Sequence, residues 1–114
     1  MSNYLANAFS FNMIPAKDGE ITFIDVTAEE ATRILNAKEW HSVVGHADTA
    51  AVMSSLLGLD VPVNRTNVEL AVGDRLIVGQ YSGPRLPEGA TTLPDGATIR
   101  WIYVQIHPLR LFEY

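Results

Sequence analysis

Apolar positions along the chain change period several times, and each change marks an element. Tyr4 to Phe9 is apolar enough for a first strand, and Glu20 to Val26 alternates polar and apolar residues, with Ile21, Phe23 and Val26 among the latter, as a second. Asn12 to Gly19 between them reads as an irregular loop. Thr27, Ala28, Glu29 and Glu30 form a capping box, because the Thr hydroxyl and the Glu carboxylate each satisfy an orphan amide; this predicts a helix running to about Lys38. Trp40 to Val44 suits a short buried strand. Gly45, His46, Ala47 and Asp48 then turn into a second helix over Thr49 to Leu57, apolar at Val52, Leu56 and Leu57 and ended by Gly58. Asn67 to Val72 and Leu76 to Tyr81 read as two strands of a hairpin turning at Gly73 and Asp74. Ile99 to Ile106 is the last strand, stopped by Pro108. Ser82 to Ala97, rich in Pro and Gly, is an exposed loop of the kind that often carries function. These elements predict an α/β or α+β fold: one domain over residues 1–114, with a mixed sheet of about five strands and two main helices covering one face.

Composition narrows the chemistry. At 114 residues, 47% hydrophobic and 18% charged, the chain has the size and balance of one globular domain. It contains no cysteine, which removes disulfides, thiolate nucleophiles and iron–sulfur clusters, and leaves His, Ser, Asp and Glu to carry any reaction. No apolar run approaches the roughly 20 residues of a membrane helix, and Met1 to Leu5 does not open a secretory leader, so the expectation is a cytoplasmic protein without a membrane partner. A net charge of -5 argues against duplex nucleic acid as a partner. A compact anion remains accessible, since six of the eight basic residues are Arg, whose planar fork fits phosphate.

The stretch Val43, Val44, Gly45, His46, Ala47, Asp48, Thr49 carries the most chemical information. Amides at a helix start are unpaired and partly positive, so an anion settles there, and Gly45 lets a ligand approach the backbone. His46 stands at the edge of that position, although a histidine here serves equally well as a turn residue or as packing beside the core. Arg85 and Glu88 are spaced so that the guanidinium meets a phosphate while the carboxylate orients it or accepts a ligand hydroxyl; a solvated surface ion pair is the plainer alternative. Asn7, Ser10 and Asn12, and farther on Asn64 and Arg65, offer short polar groups for bases, sugars or phosphates, or simply form turns. His41, His46 and His107 lack metal-ligand spacing. The glycines form no phosphate or dinucleotide fingerprint and the serines no nucleophile elbow, so no cofactor is expected.

Several of these segments, in this order, resemble the viral type III anti-CRISPR ring nucleases, small proteins of archaeal viruses, phages and mobile elements. Leu5, Ala6, Asn7, Ala8, Phe9, Ser10, Phe11, Asn12 and Met13 look like that family's opening strand and loop. Gly45 and His46 entering a helix with Thr49, then Asn64 and Arg65, Gln80, and Arg85, Leu86, Glu88 and Gly89 continue the likeness, which spans about Leu5 to Gly89. The resemblance implies a homodimer that binds cyclic tetra-adenylate, the messenger of type III CRISPR defence, and cuts it into linear products. It implies His46 as the catalytic histidine, with Glu88 beside it in the catalytic set. Ser10, Arg65 and Arg85 then hold the cyclic ligand, with Asn7 and Gln80 as further contacts. The chain departs from the family's pattern at Gly83 and Pro84, which lengthen the approach to Arg85, and over Ala90 to Thr98, too rich in Pro and Gly for a helix.

The chemistry this implies needs neither metal nor protein nucleophile. A ribose 2′-hydroxyl attacks its adjacent phosphate and expels the 5′-oxygen, leaving a 2′,3′-cyclic phosphate, while the protein aligns the groups and His46 protonates the leaving oxygen. Two other readings compete with it: a non-catalytic sponge that sequesters cyclic nucleotide, and a DNA-binding regulator, against which the acidic balance weighs.

Overall fold

Helix formation begins at the expected capping box. In the computed structural model, which describes residues 1–110, the Glu30 amide donates to the Thr27 hydroxyl at 3.1 Å and the Thr27 amide to the Glu30 carboxylate at 3.0 Å. Helix α1 (Ala28–Asn36) follows, two residues shorter than its expected end at Lys38, and buries Ala31 and Leu35. Helix α2 (Ala47–Leu57) starts two residues before the expected Thr49, with His46 at its N-cap, and ends where Gly58 adopts a left-handed φ of 66°. The Thr32 hydroxyl on α1 donates to the Leu57 carbonyl at 3.0 Å and so ties the two helices together.

Among the described residues the strands are β1 (Asn3–Ala6), β2 (Glu20–Val26), β3 (His41–Ser42), β4 (Arg75–Ser82) and β5 (Thr98–His107), in the order β2-β5-β4-β1-β3. β1 runs parallel to both β3 and β4, whereas β5 is antiparallel to β2 and β4. This is one α+β domain with a mixed five-stranded sheet and both helices on one face. That face holds Leu5, Ile77 and Trp101 against Leu35, Met53 and Leu57 of the helices. Each such Leu or Met contributes about 1.5–3 kcal/mol by leaving water. The opposite face holds Ala6, Leu76, Val78, Val104 and Ile106, and it is covered by loops and a single 3-10 turn, through Phe9, Met13, Ile14, Val68 and Leu70.

Three expectations need correction. Asn67 to Val72 is not a strand and makes no hairpin with β4. Both edges of β4 are already paired, to β1 and to β5, so no partner edge is free for it. The alternation at Val68 and Leu70 instead packs a loop onto the sheet, and the Leu70 amide donates to the Met13 carbonyl at 2.6 Å. The first strand ends at Ala6, not Phe9, because its last pairing is Ala6 with Val78 and the chain then leaves the sheet. The third strand is only His41–Ser42 within the expected Trp40 to Val44.

Candidate functional site

The exit of the chain from β1 creates the site. Ser10 caps a 3-10 turn, Phe11–Met13, by accepting the Asn12 amide at 3.2 Å, so the run from Asn7 to Met13 folds back beside the sheet instead of extending it. A second wall is built by the segment leading into α2. Val43 donates its amide to the Leu5 carbonyl at 2.8 Å, which keeps this segment alongside the end of β1. A third wall is stapled to the second: the Asn64 amide donates to the Val44 carbonyl at 2.8 Å, its side-chain nitrogen to the Ser42 carbonyl at 2.9 Å, and the Ser42 hydroxyl to the Pro62 carbonyl at 2.6 Å. Between the walls lies a cleft of about 550 Å³, within the range of small-ligand sites.

Asn7, Ser10, His46 and Arg65 all line this cleft, so the structure joins four of the seven site residues expected from sequence. Gly45 lines it too, beside Arg65: a Cβ there would make ordinary van der Waals contact with the arginine side chain, 3.4 Å from its Cγ. His46 is exposed, in extended backbone at φ -126° and ψ 131°, and its side chain makes no capping bond to α2. The first amides of that helix therefore keep their partial positive charge beside His46. Neither Arg65 nor Arg85 has a salt-bridge partner among the described residues.

His46 also faces a second hollow of about 340 Å³, shared with Asp48, Thr49, Tyr81, Arg85 and Leu86. A third, of about 480 Å³, lies against Asp48, Arg85, Leu86, Pro87 and Glu88. Arg85 thus reaches the same hollow as His46, whereas Glu88 lines only the outer one. Gln80 stands apart. It is exposed on β4 and lines a different hollow on the sheet face opposite the helices, with Phe9, Phe23 and Arg100. Its alternation along β4 with Leu76 and Val78 places it there, so Gln80 is not part of the His46 cleft.

Sequence reasoning missed Thr66, Asn67 and Glu69, which also line the cleft. Their role was hidden because the alternation of Val68 and Leu70 reads as a strand, whose intervening residues would simply face solvent. It also missed Asp48, whose carboxylate accepts the Gly89 amide at 3.0 Å across the boundary between helix and loop. The available signal was an acid in the first turn of α2. Among the described residues no group of three or more His, Asp or Glu side chains converges to hold a metal ion, and no helix is long and apolar enough to cross a membrane.

Comparison with known proteins places this geometry in a lineage. The profile of the STIV B116-like family matches residues 3–97, which takes in every wall of the cleft and the loop of Arg85 and Glu88. The chain belongs to the STIV B116-like family. B116 of Sulfolobus turreted icosahedral virus superposes with a TM-score of 0.80 at 26% identity, covering 92% of this chain and 99% of B116. Uncharacterized protein ORF117 of Acidianus two-tailed virus is 40% identical over 90 residues, 75% of this chain and 74% of its own length. Uncharacterized protein 26 of Sulfolobus islandicus filamentous virus (isolate Iceland/Hveragerdi) is 31% identical over 74 residues, 65% of this chain; the match spans 63% of that relative's length. The proteins matched here therefore come from viruses of archaea, and B116 shares the fold that positions His46.

Proposed function

We propose that this STIV B116-like protein is a metal-independent ring nuclease that cleaves cyclic tetra-adenylate and thereby counters type III CRISPR signalling. The observation that carries the proposal is the position of His46: an exposed imidazole at an uncapped helix start, shared by two hollows that each hold an arginine, Arg65 in one and Arg85 in the other. The substrate class comes from the resemblance of residues 5–89 to the ring nucleases. Polar groups from Asn7, Ser10 and Asn12, set against Thr66 and Asn67, give the cleft the neutral donors and acceptors that nucleotides require.

In the proposed reaction the 2′-oxygen of one adenylate bonds to its own phosphorus while the bond from phosphorus to the next 5′-oxygen breaks. His46 passes a proton to that departing oxygen, and the 2′-hydroxyl proton leaves to solvent. General-acid help of this kind is worth about 100-fold to 10,000-fold. Arg65 and Arg85, with the free amides of α2, offset charge on the phosphoryl oxygens, and Glu88 orients Arg85 or accepts a ligand hydroxyl. The proposed assembly is a two-fold dimer, which matches the symmetry available to a four-nucleotide ring. Exposed Phe11 and Phe23, with 72% and 66% of their surface in water and both beside Phe9, support association of two copies.

The test is incubation of the purified protein, in excess and with EDTA, with cyclic tetra-adenylate, followed by separation of the products. The expected result is linear oligoadenylate with 2′,3′-cyclic phosphate ends, absent with His46→Ala although that variant still binds the ring. Return of intact ring by a wild type that binds it would identify a sponge, return without binding would remove the proposal, and inhibition by EDTA would remove the metal-independent mechanism.

A further inference from the structure

The loop that follows β4 and carries Arg85 and Glu88 is fastened at its stem and at its tip. At the stem the Tyr81 hydroxyl donates to the Pro84 carbonyl, and Gly83 sits so close to Ala97 that an added Cβ would lie 2.7 Å from the alanine's own. Both contacts hold the loop to itself or to its flanking strands. The tip is a turn in which the Ala90 amide donates to the Pro87 carbonyl at 3.1 Å. Gly89 within it takes a left-handed φ of 78°, which glycine adopts without steric cost, and its N–H makes no bond inside the turn. That N–H donates to Oδ1 of Asp48 at 3.0 Å. Among the described residues this is the hydrogen bond that ties the tip to the body of the protein.

For a site that receives phosphate, Asp48 is a poor choice. It lies two residues after His46, in the first turn of α2, and lines both hollows that Arg85 lines. A carboxylate there repels an incoming phosphate and dilutes the positive charge of the helix start. An acid at this position stabilises the helix, but helix stability alone does not explain an oxygen aimed at a backbone amide 41 residues away.

We propose that Asp48 is a positioning residue: it holds the Gly89 turn against the start of α2, so that Arg85 is presented to the same hollow as His46. The proposal rests on the ring-nuclease reading of that hollow. His46 and Asp48 belong to one rigid helix start, while Arg85 belongs to a loop of irregular backbone, and the bond from Asp48 sets one relative to the other. Asp48 neither touches the reacting atoms nor moves a proton. Its contribution is orientation, where displacement of a contacting group by about 1 Å costs up to about 100-fold in rate.

Two variants of the full chain separate orientation from charge. Asp48→Asn keeps a side-chain oxygen able to accept the Gly89 amide but removes the negative charge; Asp48→Ala removes both. Asp48 is half-exposed, so both variants leave the core intact, and thermal unfolding verifies this. Amide hydrogen exchange at Gly89, measured by NMR without ligand, should accelerate about 5-fold in Asp48→Ala, the value of one lost hydrogen bond, and stay within about 2-fold of wild type in Asp48→Asn. With cyclic tetra-adenylate, kcat should fall by about 10-fold to 100-fold in Asp48→Ala and be largely restored in Asp48→Asn. Unchanged Gly89 exchange in the alanine variant overturns the tether, and equal kcat losses in the two variants overturn positioning in favour of charge. If the wild type leaves the ring intact, the ring-nuclease reading fails and positioning for catalysis fails with it, while the exchange measurement still decides whether the tether exists.

Discussion

His46 occupies a helix N-cap, where evolution elsewhere favours Ser, Thr, Asp or Asn because their side-chain oxygens accept an orphan amide. Here no side-chain capping bond forms, so the helix start is left less stable than it could be. Replacement by serine repairs that defect, since the N-cap backbone at φ -126° and ψ 131° already has the extended geometry a serine cap uses. A cap of this kind is worth about 1 kcal/mol over a residue that makes no bond. For a domain of this size the gain corresponds to a rise in Tm of about 4 °C. Because His46 is exposed, the exchange leaves no cavity to offset the gain. The same substitution removes the proposed proton donor and should lower cleavage of cyclic tetra-adenylate by about 100-fold to 10,000-fold. Calorimetry or thermal circular dichroism on His46→Ser, with single-turnover cleavage on the same preparation, tests both halves. A variant that melts about 4 °C lower would show that the imidazole serves the fold, and one that cleaves at the wild-type rate would show that it does not serve the reaction. Either result refutes the trade of stability for chemistry at this position.

Three further predictions concern the scaffold. Asp74, 7% exposed, accepts the Ser2 amide at 2.8 Å and the Ala71 amide at 2.8 Å, closing the turn before β4 onto the N-terminal segment; Asp74→Ala should cost about 2–4 kcal/mol in denaturant unfolding, because two donors lose a charged acceptor. A Cβ at Gly79 would lie 2.6 Å from Cε of Met53 and 2.6 Å from the Trp101 ring, both buried, so Gly79→Ala should destabilise by about 1–3 kcal/mol as α2 is pushed from the sheet, read as a lower denaturant midpoint. The backbone and hydroxyl hydrogen bonds of Thr27, aided by Arg33, hold the Glu30 carboxyl below its ordinary value, so its contribution to α1 is complete above about pH 5 and is lost as pH falls through that lowered value. Glu30→Gln should flatten that part of a plot of Tm against pH, and an unchanged slope would contradict the assignment.

Local chemistry made much of this protein legible before any tertiary contact was known. The capping box at Thr27 and Glu30, the termination of α2 at Gly58 and the bounds of β2 at Glu20 and Val26 all appear as expected, although burial along β2 does not alternate, since Phe23 and Ile24 are both exposed. His46, Arg65, Asn7 and Ser10 were legible as a set only through a family resemblance, since nothing in their spacing brings them together. What tertiary structure alone decided is pairing and enclosure. Val68 and Leu70 alternate as a strand would, yet a strand needs a free edge, and β1 and β5 occupy both edges of β4; the segment therefore became a cleft wall and brought Thr66, Asn67 and Glu69 to the site. Gln80 and Glu88 were carried in sequence toward His46, but the pleat of β4 turned one to the other face of the sheet and the loop left the other in an outer hollow. Helix starts and stops are written in short stretches of chain because their hydrogen bonds are local. The cleft is not, because its walls come from segments up to about 60 residues apart, whose meeting depends on which backbone groups the sheet has already satisfied.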